Sequence, residues 1–154
     1  MVMQKRGFCS ALIVFALTAL LSEPAHATEG DIFTKQLTET ISKVRMGEAP
    51  GVRRRAAEHL FELTRGTNSK KVGDETIANI ASLLDGDDDS VRYWVARCLG
   101  NFGPRAKTSA PKLQAVLAEV DCLQGSKTSA SGIRFALAKM GITPSPPKCG
   151  ATNE

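Results

Sequence analysis

Few side chains in this chain have the type and spacing to do chemistry. His59 stands beside Glu58, and the only other histidine is His26. A general base needs a nucleophile within reach and a third group to orient it. No motif supplies either, so His59 reads as a surface or partly packed residue. Asp85-x-Asp87-x-Asp89 has the opening of a calcium loop. An EF-hand also needs Gly at loop position six and Glu at position twelve. Ser90 and Ala96 stand there instead. The acidic run therefore reads as a turn that caps the following helix and complements its dipole. The P-loop, the dinucleotide fingerprint, the zincin motif and the nucleophile elbow are all missing. The expectation is no catalytic residue, no cofactor and no metal.

Four cysteines are present. Cys9 falls in an N-terminal segment that reads as a secretory signal. Lys5 and Arg6 precede an apolar run from Phe8 to Leu21, and Ala25-His26-Ala27 has the A-x-A cleavage pattern. The run is shorter than the roughly 20 apolar residues of a spanning helix, so no stable membrane insertion is expected after cleavage. Residues 1–27 are thus expected to leave, placing the rest in the periplasm or outside the cell. Disulfides persist there. Cys122 and Cys149 are the expected pair, tying the tail back across the last helix, with Cys98 packed as a small apolar residue. Another pairing, or thiols used for metal or catalysis, is the alternative. The charge balance is mild, with 20 Lys+Arg against 16 Asp+Glu and a formal net charge of +4. Its signs are mixed along the chain, and Arg53-Arg54-Arg55 and Lys70-Lys71 are short. Such an excess does not imply nucleic acid, and export argues against it too.

The elements that must position these residues are helices. Ile32, Phe33, Leu37, Ile41 and Val44 recur at steps of three and four after a frayed start at Thr28–Gly30, and Gly47 and Pro50 end that helix. A second helix runs from about residue 51 to 64, with Val52, Ala56, Leu60 and Leu63 in one stripe. A third covers about 74–84 and a fourth about 90–102, with Val91, Val95, Leu99 and Phe102 in register. Ser109 is positioned to cap a fifth, with Pro111 in its first turn. A sixth covers about 131–140, and an irregular tail follows from 145. Strand-like alternation is missing. Tyr93 and Trp94 flank the fourth stripe. Trp94 is expected to seal the edge of the core, and Tyr93, if exposed, is a candidate contact for a partner.

The sequence also repeats. Val52-Arg53-x-x-Ala56-Ala57-x-x-Leu60 matches Val91-Arg92-x-x-Val95-Ala96-x-x-Leu99 at an offset of 39 residues. A degenerate third copy starts near Ile133-Arg134. Asp88-Asp89-Ser90-Val91-Arg92, then Leu99-Gly100-Asn101-Phe102-Gly103, then Ala110-Pro111-Lys112-Leu113 and Leu117, resemble the short HEAT-like repeat of phycobilisome-lyase-like proteins. The resemblance implies an all-α fold, a short α-solenoid of stacked antiparallel helical hairpins with about six helices over residues 28–144. One hairpin cannot bury both faces of its helices, and stacking completes the core. Arg53 and Arg92 are expected to pair with acidic residues in the turns. The resemblance places Asn79, Ser82, Lys112, Gln114 and Glu119 on the concave face as candidate contacts.

The expected function is a non-enzymatic, exported module that binds another protein or peptide. A periplasmic inhibitor or immunity-type protein is a narrower version. An enzyme or enzyme subunit is the rival, since tetrapyrrole lyase activity is associated with the family resembled. A purely structural envelope component is a third reading.

Overall fold

A computed structural model describes residues 28–123 and 125–144, the side chain of Thr67 excepted. The expected signal segment, the tail from 145 and Cys149 lie outside the described residues. Among those described there are six α-helices and no strand.

The first helix, α1 (Glu29–Met46), starts earlier than its apolar stripe implies. Thr28 and Asp31 form a capping box: the Asp31 amide donates to Thr28 Oγ1 at 3.3 Å and the Thr28 amide to Asp31 Oδ2 at 3.0 Å. The two hydrogen bonds from Thr28, the hydroxyl's first, hold the Asp31 carboxyl below its usual range. Leu37, Thr40, Ile41 and Val44 form the buried stripe, while Ile32 is exposed. The helix ends at Gly47, whose amide still donates to the Lys43 carbonyl and where a Cβ would lie 2.7 Å from that oxygen, so glycine is the residue that fits.

Pro50 opens α2 (Pro50–Leu63), where its missing N–H costs nothing. The buried face of α2 is Ala56, Ala57, Leu60 and Phe61. Val52, expected in that stripe, is 40% exposed. It sits in the first turn beside Met46 and Gly47, on a shallow cleft open to solvent. Leu63 is only half-buried, because Thr64 takes the inward place at the helix end.

Three further helices follow with 3₁₀ turns between them: α3 (Asp74–Ala81), α4 (Asp89–Phe102) and α5 (Ala110–Val120). The turns cover Gly66–Lys71, Ser82–Asp85 and Gly103–Ser109. The expected third helix thus tightens at Ser82, although Leu83 and Leu84 still point into the core. Ser109 precedes α5 as expected, but its side chain makes no capping bond and is buried. The 3₁₀ turn leading into α5 gives that backbone a helical conformation already, so the extended geometry of a side-chain cap is absent. Finally α6 (Ser129–Lys139) begins two residues before the expected Ser131, with Thr128 accepting from the Ser131 amide.

Helix α4 is central. It packs between α2 and α6, while α1, α3 and α5 lie against α2, α4 and α6 in turn. Its own exposure reflects this, for every residue from Asp89 to Phe102 is buried or half-buried. Small residues let the helices approach. A Cβ on Gly132 would fall 2.8 Å from the Tyr93 carbonyl oxygen, and one on Gly100 2.8 Å from the Phe135 ring. The core is continuous through all six helices, from Leu37 to Met140.

The repeat is realised in hydrogen bonds. Arg53 Nη1 donates to the Gly47 carbonyl at 3.3 Å, and Arg92 Nε donates to the Gly86 carbonyl at 2.6 Å. Both arginines and both glycines are 39 positions apart. The turns before Val52 and Val91 are therefore closed by the same local contact. The arginines clamp turn carbonyls and not the acidic residues expected, because the turn backbone, left unpaired where a helix ends, lies closer. Arg92 adds a bond to the Leu84 carbonyl and an ion pair with Glu119 at 3.4 Å.

Candidate binding surface

His59 and Glu58 are both exposed on α2. No group of His, Cys, Asp or Glu that could hold a metal ion occurs among the described residues. The acidic run serves the fold. Asp85 pairs with Lys112 Nζ at 2.7 Å, and Asp88 accepts from the Val91 amide at 3.1 Å as the cap of α4. Asp89 reaches across to α6, accepting from the Ser129 amide at 3.0 Å and from its hydroxyl. This run also edges a cleft of about 550 Å³, with Arg45 and Arg53 among the opposite residues.

Cys98 is free and fully buried. Its burial pushes the thiol up to about 12, while the Thr64 hydroxyl, 3.2 Å from the sulfur, pulls the other way. A thiol so protected is not a nucleophile at neutral pH. Thr64 and Asn101 also satisfy the last carbonyls of α2, with Asn101 Nδ2 donating to Phe61 O at 3.3 Å. Cys122, just past α5, is not a free thiol.

The six candidate contacts separate into three groups. Asn79 on α3 and Gln114 on α5 are exposed and available. Lys112 and Glu119 are engaged in the ion pairs with Asp85 and Arg92, and Ser82 accepts from Arg45 Nη2 at 2.8 Å. Tyr93 corrects the expectation of an exposed anchor, being only 8% exposed. Helix α6 covers it, since Gly132 lets the two backbones close over the ring. Trp94 is half-buried and packed against the core edge, as expected.

An aromatic group on the α2–α4–α6 side went unread in the sequence. Trp94 lies 4.9 Å edge-on from Tyr93 and 5.3 Å from Phe61. The Arg97 guanidinium lies 3.9 Å from the Phe135 ring centroid, 5.6 Å from Phe61 and 6.0 Å from Tyr93. Arg65 sits over Phe61 and Lys139 over Phe135, each at 5.6 Å. The spacing Trp94-x-x-Arg97 puts both on one side of α4. That was the legible signal. Phe135 comes from another helix and could not be joined to them by periodicity.

Residues 91–119 match the PBS lyase HEAT-like repeat. No curated protein and no solved structure matched the chain. The HEAT-like match spans α4, the 103–109 turn and α5, the part in which the repeated pattern is fullest. HEAT-like repeats suggest a protein-interaction module. No described helix is long and apolar enough to cross a membrane.

Proposed function

We propose that this chain is a non-enzymatic α-solenoid that works outside the cytoplasm by binding another protein. The observation that carries the reading is the repeated arginine–glycine clamp, Arg53 to Gly47 and Arg92 to Gly86, within a chain that matches a HEAT-like repeat. Stacked repeats of this kind offer extended surfaces that suit macromolecules. The exposed Asn79 on α3 and Gln114 on α5 supply polar contacts. Export rests on the signal pattern of residues 1–27. The Cys122–Cys149 bridge belongs to the same proposal and fits an oxidising compartment.

Two measurements test it. A photo-crosslinking residue placed at Asn79 or Gln114 in the native host should give a discrete adduct with one protein. That protein, once purified, should bind the purified chain through the same positions. Adducts absent from both positions, and from Trp94 as well, would refute the binding reading. Fractionation should find the chain outside the cytoplasm with Thr28 as its first residue, and a cytoplasmic product retaining Met1 would refute export.

A further inference from the structure

The arginines of this fold fall into two kinds. Arg92, Arg105 and Arg134 lock elements together. Arg105 donates to Ser69 O at 3.0 Å, to Val72 O at 2.7 Å and to Asp74 Oδ1 at 2.7 Å, and Arg134 pairs with the nearly buried Asp121. Arg97 does none of this. It sits half-buried in the middle of the central helix, yet makes no hydrogen bond and no ion pair among the described residues, and its Nε is enclosed without an acceptor. Its terminal nitrogens have no hydrogen-bond partner among the described residues either, and are not among the fully enclosed atoms. Three aromatic rings hold the guanidinium in place, which fixes its plane while leaving the charge unmatched.

The surroundings share that imbalance. Lys139 flanks the same Phe135 ring and has no carboxylate partner among the described residues. Arg65 over Phe61 is matched only by the half-exposed Glu62. Trp94 and Phe135 remain partly exposed beside these cations, although most large apolar side chains among the described residues are in the core. Half-exposed tryptophan with arginine is the composition of an interface centre, not of a solvated face. A planar guanidinium with unpaired terminal nitrogens fits a carboxylate in two parallel hydrogen bonds.

We infer that the α2–α4–α6 face centred on Arg97 and Trp94 docks an acidic segment of a partner protein, a carboxylate seating on Arg97 and an adjoining apolar side chain on Trp94. The inference rests on the protein-binding reading above and names where and with what chemistry that binding occurs. The cations flanking Phe61 and Phe135 select against basic segments, and rim charges here speed encounter and make it salt-dependent.

Trp94 is the single tryptophan of the chain, so its fluorescence reports on this face alone. The full chain is titrated with a short peptide of alternating Glu and Leu that contains no Trp or Tyr, with the Lys–Leu counterpart, and with phosphatidylglycerol vesicles. The Glu–Leu peptide should shift Trp94 emission saturably, and the Lys–Leu peptide should not. Arg97→Gln should weaken the response by roughly tenfold, the loss of one charge-assisted hydrogen-bonding group. Lys139→Gln, at an exposed position that leaves the packing untouched, should weaken it by a smaller factor, and added salt should do the same. No saturable response to the acidic peptide overturns the inference. So does a response unchanged in both variants, or one obtained from the vesicles and not from the peptide. A silent Trp94 together with specific adducts at Asn79 or Gln114 would remove this face and leave the protein-binding reading standing.

Discussion

Gly132 offers a sharp test of how α4 and α6 meet. Its neighbour is not a side chain that can swing aside. A Cβ at this position would lie 2.8 Å from the Tyr93 carbonyl oxygen, 3.0 Å from the Tyr93 ring and 3.3 Å from its Cα. The carbonyl belongs to the middle of α4, held there by the helix's own hydrogen bonding. Ala is favoured over Gly by about 1 kcal/mol inside a helix. Overpacking a rigid contact costs about 1–3 kcal/mol. Gly132→Ala is therefore expected to destabilise the fold by about 1 kcal/mol net, lowering Tm by a few degrees. Gly51→Ala makes the same chemical change in the first turn of α2, where no atom lies within 4 Å of the added methyl. It should stabilise by about 0.4–1 kcal/mol. Gly100→Ala falls between, since its 2.8 Å neighbour is the half-exposed Phe135 ring, which can move. Thermal and urea unfolding followed by far-UV circular dichroism would rank the three. Should Gly132→Ala match or exceed the parent in stability while Gly51→Ala does not, the close approach of α4 and α6 described above is wrong.

Arg92→Gln removes donors to two carbonyls and an ion pair from a side chain 15% exposed, and should cost about 2–3 kcal/mol; Arg53→Gln, with one longer bond, should cost under about 1 kcal/mol by the same urea titration. Asp89→Ala should cost about 1–3 kcal/mol by leaving the Ser129 amide without an acceptor, and hydrogen exchange at the start of α6 should rise with it. Cys98 should resist alkylation in the folded chain and react only as fast as the protein opens. Because its thiol is raised from 9.0 to about 12 by burial, the unfolded chain gives up the proton first. Stability from this group is full below pH 9 and falls by about 1.4 kcal/mol per pH unit above it, a slope that Cys98→Ala should lack in urea titrations across that range.

The helices were legible because their signals are local. Leu37, Ile41 and Val44 mark α1, and Val91, Val95 and Leu99 mark α4, each by period alone. The repeat was legible for the same reason, as an offset within one string of residues. What could not be read depends on partners distant in the chain. Tyr93 is buried only because Gly132 admits α6, and Asp89 is tied to Ser129 forty positions on. Val52 and Val91 carry the same pattern, but Val52 faces an open cleft and Val91 is buried. The arginine clamps went to carbonyls because a turn's unpaired backbone is invisible in a list of side chains. The candidate contacts were chosen from helix position alone. Exposure left Asn79 and Gln114 available, while internal ion pairs had already engaged Lys112 and Glu119.

The two arginine clamps also act as a gauge of chain length. In each, the donor stands six positions after the glycine whose oxygen it grips, and the turn between has to close within that reach. One residue inserted after Gly47 or Gly86 would lengthen the turn by about 3.3–3.6 Å and carry the carbonyl away from the arginine. Surface connections commonly absorb insertions. These two are not expected to, so length variation in proteins built on this plan should avoid the Gly47 and Gly86 turns.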